Sequence, residues 1–462
     1  MLYDFIITDK NAATPMYRQI YTSIRQAIEN GNLKQGDKLP SIRRLCQTLN
    51  ISKTTVIAAY DRLAAEGYVL NRPQSGYYVA ADFETLPAAS EKSGDTTEQE
   101  KQFYEYDFST KSIDSRIIDL SAWRKEIKNI INSTYLQMSY GDVQGEEALR
   151  SALQKYALGV RSVNASAARI VVAAGTQAVL CLLCSLIGCQ KRVAIQRDSF
   201  IQSEYVFRSF QYDICYFESD DSGVTLASLN EIQPDIILLN PNFSGTAGVN
   251  MPLTRRLEII RWAAQHHALI LEDDYNGELR YSSHPLPCVQ SYDADHTVYI
   301  GSFSKVLLPS VRISYMVLPE DLSRRFDDNR AYLNQTASKT EQLALAAYLN
   351  SGKIDAHIRR ARRIYLEKSR DTLFFIQKYF PDSTVVFHET SLYYSVRLPF
   401  QVNRAAMDAG LEQSGIRLMT REFDENVFGI SFSGIPSKKI EEGLRLTSEI
   451  IYQAKNHCEA SQ

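Results

Sequence analysis

Three times in the first 80 residues, apolar positions recur at the spacing of a helix. In Pro15 to Asn30, PMYRQIYTSIRQAIEN, the side chains of Met16, Ile20, Ile24 and Ile28 fall on one face. Gly31 and Gly36 bracket a turn, and Ser41 then caps SIRRLCQTLN, where Ile42, Leu45 and Leu49 recur at three and four. Ser52 is the N-cap of a third helix, KTTVIAAYDRLAAEG, which stops at Gly67. A short helix, a tight turn and a second helix with a polar start predict a helix-turn-helix, whose second helix enters a major groove N-terminus first. Tyr68-Val-Leu, a turn from Arg72 to Gly76 and Tyr77-Tyr-Val predict a small hairpin, or wing. The spacing alone is equally compatible with a small helical bundle.

The pattern vanishes over residues 81–102, ADFETLPAASEKSGDTTEQEKQ, which hold six acidic and two basic residues and few large apolar ones. Such a stretch cannot bury enough surface to offset its ordering entropy and reads as a tether. Beyond it, short apolar runs alternate with helical ones: RIVVAA (169–174), RVAIQ (192–196), DIILLN (235–240), ALILED (268–273), TVYIGS (297–302) and RISYMVL (312–318). Runs of this kind between helices predict strands covered on both faces, hence an α/β domain. The expected division is 1–80 as a DNA reader, 81–106 as a flexible acidic linker and 107–458 as a large effector domain.

Composition changes this picture in one respect. The formal net charge of the 462 residues is −3, which argues against nucleic acid. Residues 1–80 nevertheless hold ten basic and six acidic residues, a net of +4, so the remainder carries −7. A small basic reader is hidden behind a larger acidic partner. Seven irregularly spaced cysteines, no secretory signal and no apolar run of membrane length point to a reducing cytoplasm. Cys181 and Cys184 form a CxxC inside an apolar stretch, with no second pair at ligand spacing; they read as buried thiols and no metal site is expected.

The polar features of the large domain all follow predicted strands, where ligands of α/β sheets gather. Gly175-Thr176-Gln177 opens a helix after a strand, and a helix N-terminus with free N–H groups suits a phosphate. Many such turns hold no ligand. Glu272-Asp273-Asp274-Tyr275 ends another strand; three adjacent carboxylates are costly unless a base faces one of them, although a solvated turn is the plainer alternative. Lys305 lies among Ser302, Ser304 and Arg312 after a third strand. A lysine amine for an aldehyde, an acid for a ring nitrogen and donors for a phosphate are the needs of pyridoxal 5′-phosphate (PLP).

Two resemblances sharpen these readings. The run from Pro15 to Leu45, then ISKTTVIAAYDRLAAEGYV and SGYYV, resembles the winged helix-turn-helix of GntR-type bacterial regulators. By position, this implies DNA contacts by Arg43, by Lys53, Thr54 and Thr55 at the recognition-helix start, and by Ser75 and Gly76 at the wing tip. Lys53 replaces a usual Arg, and lacks its planar fork; Ile57 stands where many members carry another Arg. The runs YGDVQGEEALRSALQKY, IVVAAGTQAVL, LEDDYNGELRY and YIGSFSKVLLPSVRISYMVLP resemble a fold-type I aminotransferase domain, in the version fused to GntR-type readers, the MocR/GabR family. The fold implied is multidomain: an α+β winged helix-turn-helix, then an α/β PLP-dependent aminotransferase-like domain with a small C-terminal subdomain.

The resemblance implies that Lys305 forms a Schiff base with PLP, that Asp273 pairs with the pyridine nitrogen, and that Tyr275 bonds the phenolic oxygen. Ser302, Ser304, Arg312 and Gly175-Thr176-Gln177 would hold the phosphate, and Phe200 would stack on the ring. The departures concern the ligand. Gly245 stands where enzymes place the Asn that touches the ring oxygen, Gly429 where they place the Arg that clamps a carboxylate, and Gln202 where GABA-sensing members carry another Arg. Arg417 or Arg421 could substitute. The expectation is therefore a homodimeric, PLP-binding transcriptional regulator that binds double-stranded operator DNA and senses a small-molecule effector, PLP itself or an amine. The alternative is an active aminotransferase with a secondary DNA-binding domain.

Overall fold

The computed structural model describes residues 6, 14–80, 104–109, 112–133, 138–197, 201–242, 250–275, 277–280, 286–388, 392–420 and 426–459. The chain divides into two compact units, Met1–Lys101 and Gln102–Gln462. Residues 81–103 of the acidic stretch lie outside the described residues.

In the first unit the three helical periods become α1 (Met16–Glu29), α2 (Ile42–Leu49) and α3 (Lys53–Ala65), and the wing becomes β1 (Val69–Arg72) and β2 (Gly76–Val79). Both expected caps form: Ser41 Oγ accepts from Arg44 N–H and Ser52 Oγ from Thr55 N–H, each at 3.2 Å, satisfying donors that a helix start leaves free. Ile20, Ile24 and Ile28 of α1 are buried against Leu45, Val56, Ala59, Tyr60 and Leu63. Tyr60 donates its hydroxyl to the Pro40 carbonyl at 2.9 Å, tying α3 to the chain before α2. β1 and β2 pair antiparallel, Val69 opposite Val79.

The second unit is built on a seven-stranded sheet. Its strands are β4 (Ile170–Ala173), β5 (Arg192–Ile195), β6 (Asp213–Tyr216), β9 (Ile236–Leu239), β10 (Leu269–Asp273), β11 (Thr297–Ser302) and β12 (Ser314–Val317), in the order β4-β12-β11-β10-β9-β5-β6. Every pairing is parallel except those of β12, which runs against both β11 and β4. Apart from the edge strand β6, which is exposed or half-buried, the strands are buried nearly throughout because helices cover both faces, as their continuous apolar runs require. Two further pairs are β3 (Tyr106–Asp107) with β15 (Ile416–Arg417), and the short β7 (Ser219–Asp220) with β8 (Gly223–Val224). Tyr106, assigned from sequence to the end of the linker, and Asp107 thus form a strand.

A smaller antiparallel sheet, β13 (Thr384–His388), β14 (Tyr393–Arg397) and β16 (Val427–Ser431), forms the C-terminal subdomain. Its Tyr394, Val396, Phe428 and Ile430 join a core shared with the helices Lys353–Tyr379 and Ser437–Glu459. One cysteine departs from expectation: Cys184 is buried, but Cys181, three residues earlier on the same helix, is exposed. Among the described residues no helix is long and apolar enough to cross a membrane.

Ser52 does more than cap, since its Oγ also lies 2.8 Å from Thr54 Oγ1 and 2.7 Å from Thr55 Oγ1. Replacing it with Ala is expected to cost about 1 kcal/mol of α3 stability. In the intact chain the α3 amides should then exchange hydrogen roughly fivefold faster, and unchanged exchange would contradict the cap's role.

Candidate functional site

The reversed strand β12 assembles the site. Antiparallel pairing brings the start of β12 to the same edge where its parallel neighbours end, and the register sets Ser314 beside both Ser302 and Ala173. Three chain segments remote in sequence thereby present hydroxyls to one spot. Ser314 Oγ donates to Ser302 Oγ at 3.0 Å, Ser302 Oγ to Ser304 Oγ at 3.2 Å, and Thr176 Oγ1 lies 3.5 Å from Ser314 Oγ. Ser314 is a member that the sequence reading missed. It opens β12 two residues beyond Arg312, and no local motif marks it.

Above these hydroxyls opens the helix Thr176–Ile187, with Gly175 at its N-cap. Gly175 has φ +89°, and a Cβ there would stand 2.5 Å from the Arg312 guanidinium, so glycine allows the cation to lie directly over the helix start. Arg312 itself adopts φ +52°, a conformation that non-glycine residues reach only when their surroundings enforce it. Free helix N–H groups, a guanidinium and three or four hydroxyls make a cradle whose charge and donor set suit a dianionic phosphate. Gln177 is at the helix start but exposed. Phe200 and Gly245 lie outside the described residues.

Lys305 follows the same strand end and is buried at 7% exposure. Its Nζ donates to the Ser112 carbonyl at 3.5 Å. Burial pulls the amine down to about 8, against a smaller opposite effect of the Asp107 carboxylate. An amine so placed is a far better nucleophile at neutral pH than an ordinary lysine.

The three adjacent carboxylates are separated by strand parity. Glu272 points to one face and accepts from Val289 N–H at 2.7 Å and Gln290 N–H at 2.9 Å. Asp274, on that same side, is fully buried and forms an ion pair with Arg161 at 2.5 Å and 3.2 Å. Tyr299 donates to it at 2.7 Å, and the Asn242 amide donates to its other oxygen. Asp273 is left facing the opposite way. Its own burial, with the charge of Asp274 second, pushes it up to about 7. A carboxylate with that proton affinity is a strong acceptor for a cationic N–H donor. Tyr275 shares its parity.

Where a carboxylate clamp was sought, Gly429 sits in β16 opposite Ser395 of β14. Arg417 is engaged elsewhere, 3.7 Å from Asp107 and over the Tyr104 ring at 3.9 Å, and Gln202 is exposed. Arg421 lies outside the described residues. Among the described residues no cluster of His, Cys, Asp and Glu could hold a metal ion.

In the first unit Arg43, Lys53 and Thr54 are exposed, Thr55 is half-buried, and Ser75 at the wing tip lies 2.7 Å from the Tyr78 hydroxyl. Two cations that the sequence reading passed over flank this wing: Arg72 is 4.7 Å and Lys38 5.5 Å from the Tyr78 ring centre. No local motif marks them; a bridge between Lys38 and Tyr78 brings them together.

These two sites define a DNA-reading winged helix joined to an aminotransferase-type domain. Residues 16–79 match the model of bacterial regulatory proteins of the gntR family, and residues 104–445 that of aminotransferase class I and II. The chain is 31% identical to the uncharacterized HTH-type transcriptional regulator YdeL of Bacillus subtilis (strain 168), over 93% of this chain and 96% of that one. It is 28% identical to the HTH-type pyridoxine biosynthesis transcriptional regulator PdxR of Corynebacterium glutamicum, over 81% and 82% of the two chains. Its fold is similar to the multiple substrate aminotransferase of Thermococcus profundus, with TM-score 0.68 and 21% identity over 78% of this chain and 93% of that one. The chain belongs to the MocR type of GntR regulators, transcriptional regulators in which the reader is fused to an aminotransferase-like domain.

Breaking the buried pair by Arg161→Met leaves Asp274 charged and uncompensated, at a cost of roughly 3–5 kcal/mol. Urea unfolding should show that loss, and the double variant Arg161→Met/Asp274→Asn should recover most of it. A double variant no more stable than the single one would refute this account of the turn.

Proposed function

We propose that the chain is a homodimeric transcriptional regulator that holds PLP on Lys305 and whose winged helix, residues 1–80, binds double-stranded operator DNA. A tether that ends before the strand Tyr106–Asp107 joins it to the sensing domain. The observation that carries this reading is the convergence on one sheet edge of a buried amine, an unshielded guanidinium with hydroxyls at a helix start, and a carboxylate of high proton affinity. PLP supplies an aldehyde and an electron-withdrawing ring; the chain supplies the rest. Lys305 would present its amine, Asp273 would accept from the ring nitrogen and Tyr275 would bond the phenolic oxygen. Thr176, Ser302, Ser304, Ser314, Arg312 and the Gly175 turn would hold the phosphate, with Gln177 beside them at the helix start; Phe200, which the resemblance assigns to the ring, lies outside the described residues.

A small molecule sensed there would favour one of two conformations by binding it more tightly, and so alter operator affinity. With Gly429 in place of a clamp and Arg417 engaged by Asp107, an α-carboxylate finds no such anchor among the described residues. This favours PLP itself, or an amine without a carboxylate, as the signal. The similarity to PdxR, a pyridoxine biosynthesis transcriptional regulator, supports the first. The reactive amine keeps open a slow transfer of amino groups, which a steady-state assay with amino donors and 2-oxo acids would detect.

Two outcomes test this reading. Protein mixed with PLP should gain a visible absorption band that Lys305→Ala abolishes, and its rate of appearance should rise as pH rises through about 8, where the buried amine loses its proton. A wild-type protein without a band rules out the cofactor. Arg43→Ala should weaken operator binding and flatten its dependence on salt, because one phosphate-facing or base-facing cation is lost. Unchanged affinity and slope would count against the DNA surface.

A further inference from the structure

The chain that follows the tether meets Lys305 at Ser112. Tyr106 N–H donates to the Gly415 carbonyl at 3.1 Å, Phe108 N–H to Arg417 at 2.9 Å, and Ser431 N–H to Phe108 at 2.8 Å. These bonds fix the near end to β15 and β16. The far end is fixed by Asp114, which is buried and pairs with the equally buried Lys368 at 2.9 Å and with Arg116 at 2.8 Å. Arg116 also donates to Ser437 Oγ at 3.0 Å. Between the two anchorages stands Ser112. Its carbonyl accepts from Ser433 Oγ at 2.8 Å and from the Lys305 amine at 3.5 Å. Its side chain occupies the space beside Gly434, where a Cβ would collide with it.

We propose that the Ser112 carbonyl registers whether the Lys305 amine is free or bonded, and that the residues on either side, Tyr106–Ser109 and Ile113–Arg116, pass this state toward the tether. The proposal rests on the reading of Lys305 as the residue that bonds PLP. In forming that bond the nitrogen makes a double bond to the aldehyde carbon, the aldehyde oxygen leaves as water, and the nitrogen keeps at most one of its three ammonium hydrogens. Ser112 then loses a charged donor and retains only the Ser433 hydroxyl. An incoming primary amine reverses this: it takes over the same carbon, the carbon–nitrogen bond to Lys305 breaks, and a proton passes from the incoming nitrogen to the departing lysine. The free amine returns to Ser112. The amine that rewards this carbonyl is the one that an incoming amine liberates, and Ser112 follows the first strand of the sensing unit.

The test compares hydrogen exchange of the full-length protein with and without PLP, reading the amides of Tyr106 and Phe108. Cofactor binding by itself slows exchange, so acceleration confined to this segment is the signature. With PLP bound these amides should exchange about fivefold faster in the wild type. In Lys305→Met and in Gly434→Ala, which displaces Ser112 without touching the phosphate cradle, they should be fast in both conditions. Gly434→Ala should keep its visible band, but its operator affinity should change less than about twofold on PLP addition, against about tenfold for the wild type. A wild-type band with identical exchange in both states overturns the proposal while leaving the cofactor reading intact. Absence of any band removes that reading and this one with it. A wild-type operator affinity indifferent to PLP overturns the link to the reader.

Discussion

The buried pair between Arg161 and Asp274 is the interaction on which the sensing site depends. Three consecutive carboxylates at a strand end would repel one another and resist burial. The helix that ends at Arg161 delivers a guanidinium to the last of this run, and Tyr299 of β11 and Asn242, in the turn after β9, complete the coordination of Asp274. With Asp274 fixed and Glu272 held by two backbone amides, alternation turns Asp273 the other way. The site's acid is thus defined by what its neighbours are bound to.

The phosphate cradle depends on a different constraint, strand direction. In an all-parallel sheet the start of β12 would lie at the far edge, and Arg312 could not approach the Thr176 helix. Reversal of this one strand aligns Ala173, Ser314 and Ser302, and leaves Lys305 three residues beyond the last of them. The strained φ of Arg312 and the glycine beneath it are the local consequence.

Sensing and reading are separated along the chain and by charge. The basic winged helix retains the surface expected of a DNA-binding module, while the large unit carries the excess of acid. The chain between them leads directly into the segment that contacts Lys305. Among the described residues the arrangement keeps features that suit a cofactor, and Gly429 offers no side chain of its own.

Much of this was legible in the sequence because it is encoded locally. Helical periods and the caps Ser41 and Ser52 specified the reader, apolar runs specified six of the seven strands, and the order of GTQ, EDDY and SFSK with a following Arg marked the cradle. These depend on neighbours a few residues apart. The resemblance singled out Asp273, but residue pattern alone gave no reason to choose among three adjacent carboxylates, since that reason includes Arg161, 113 residues away. Nor could it reveal Ser314 as the hydroxyl between two others, Lys38 beside the wing, or the hold of Ser112 on Lys305. Each arises where strand register or a long-range hydrogen bond joins distant segments, and only the tertiary structure makes such a pairing.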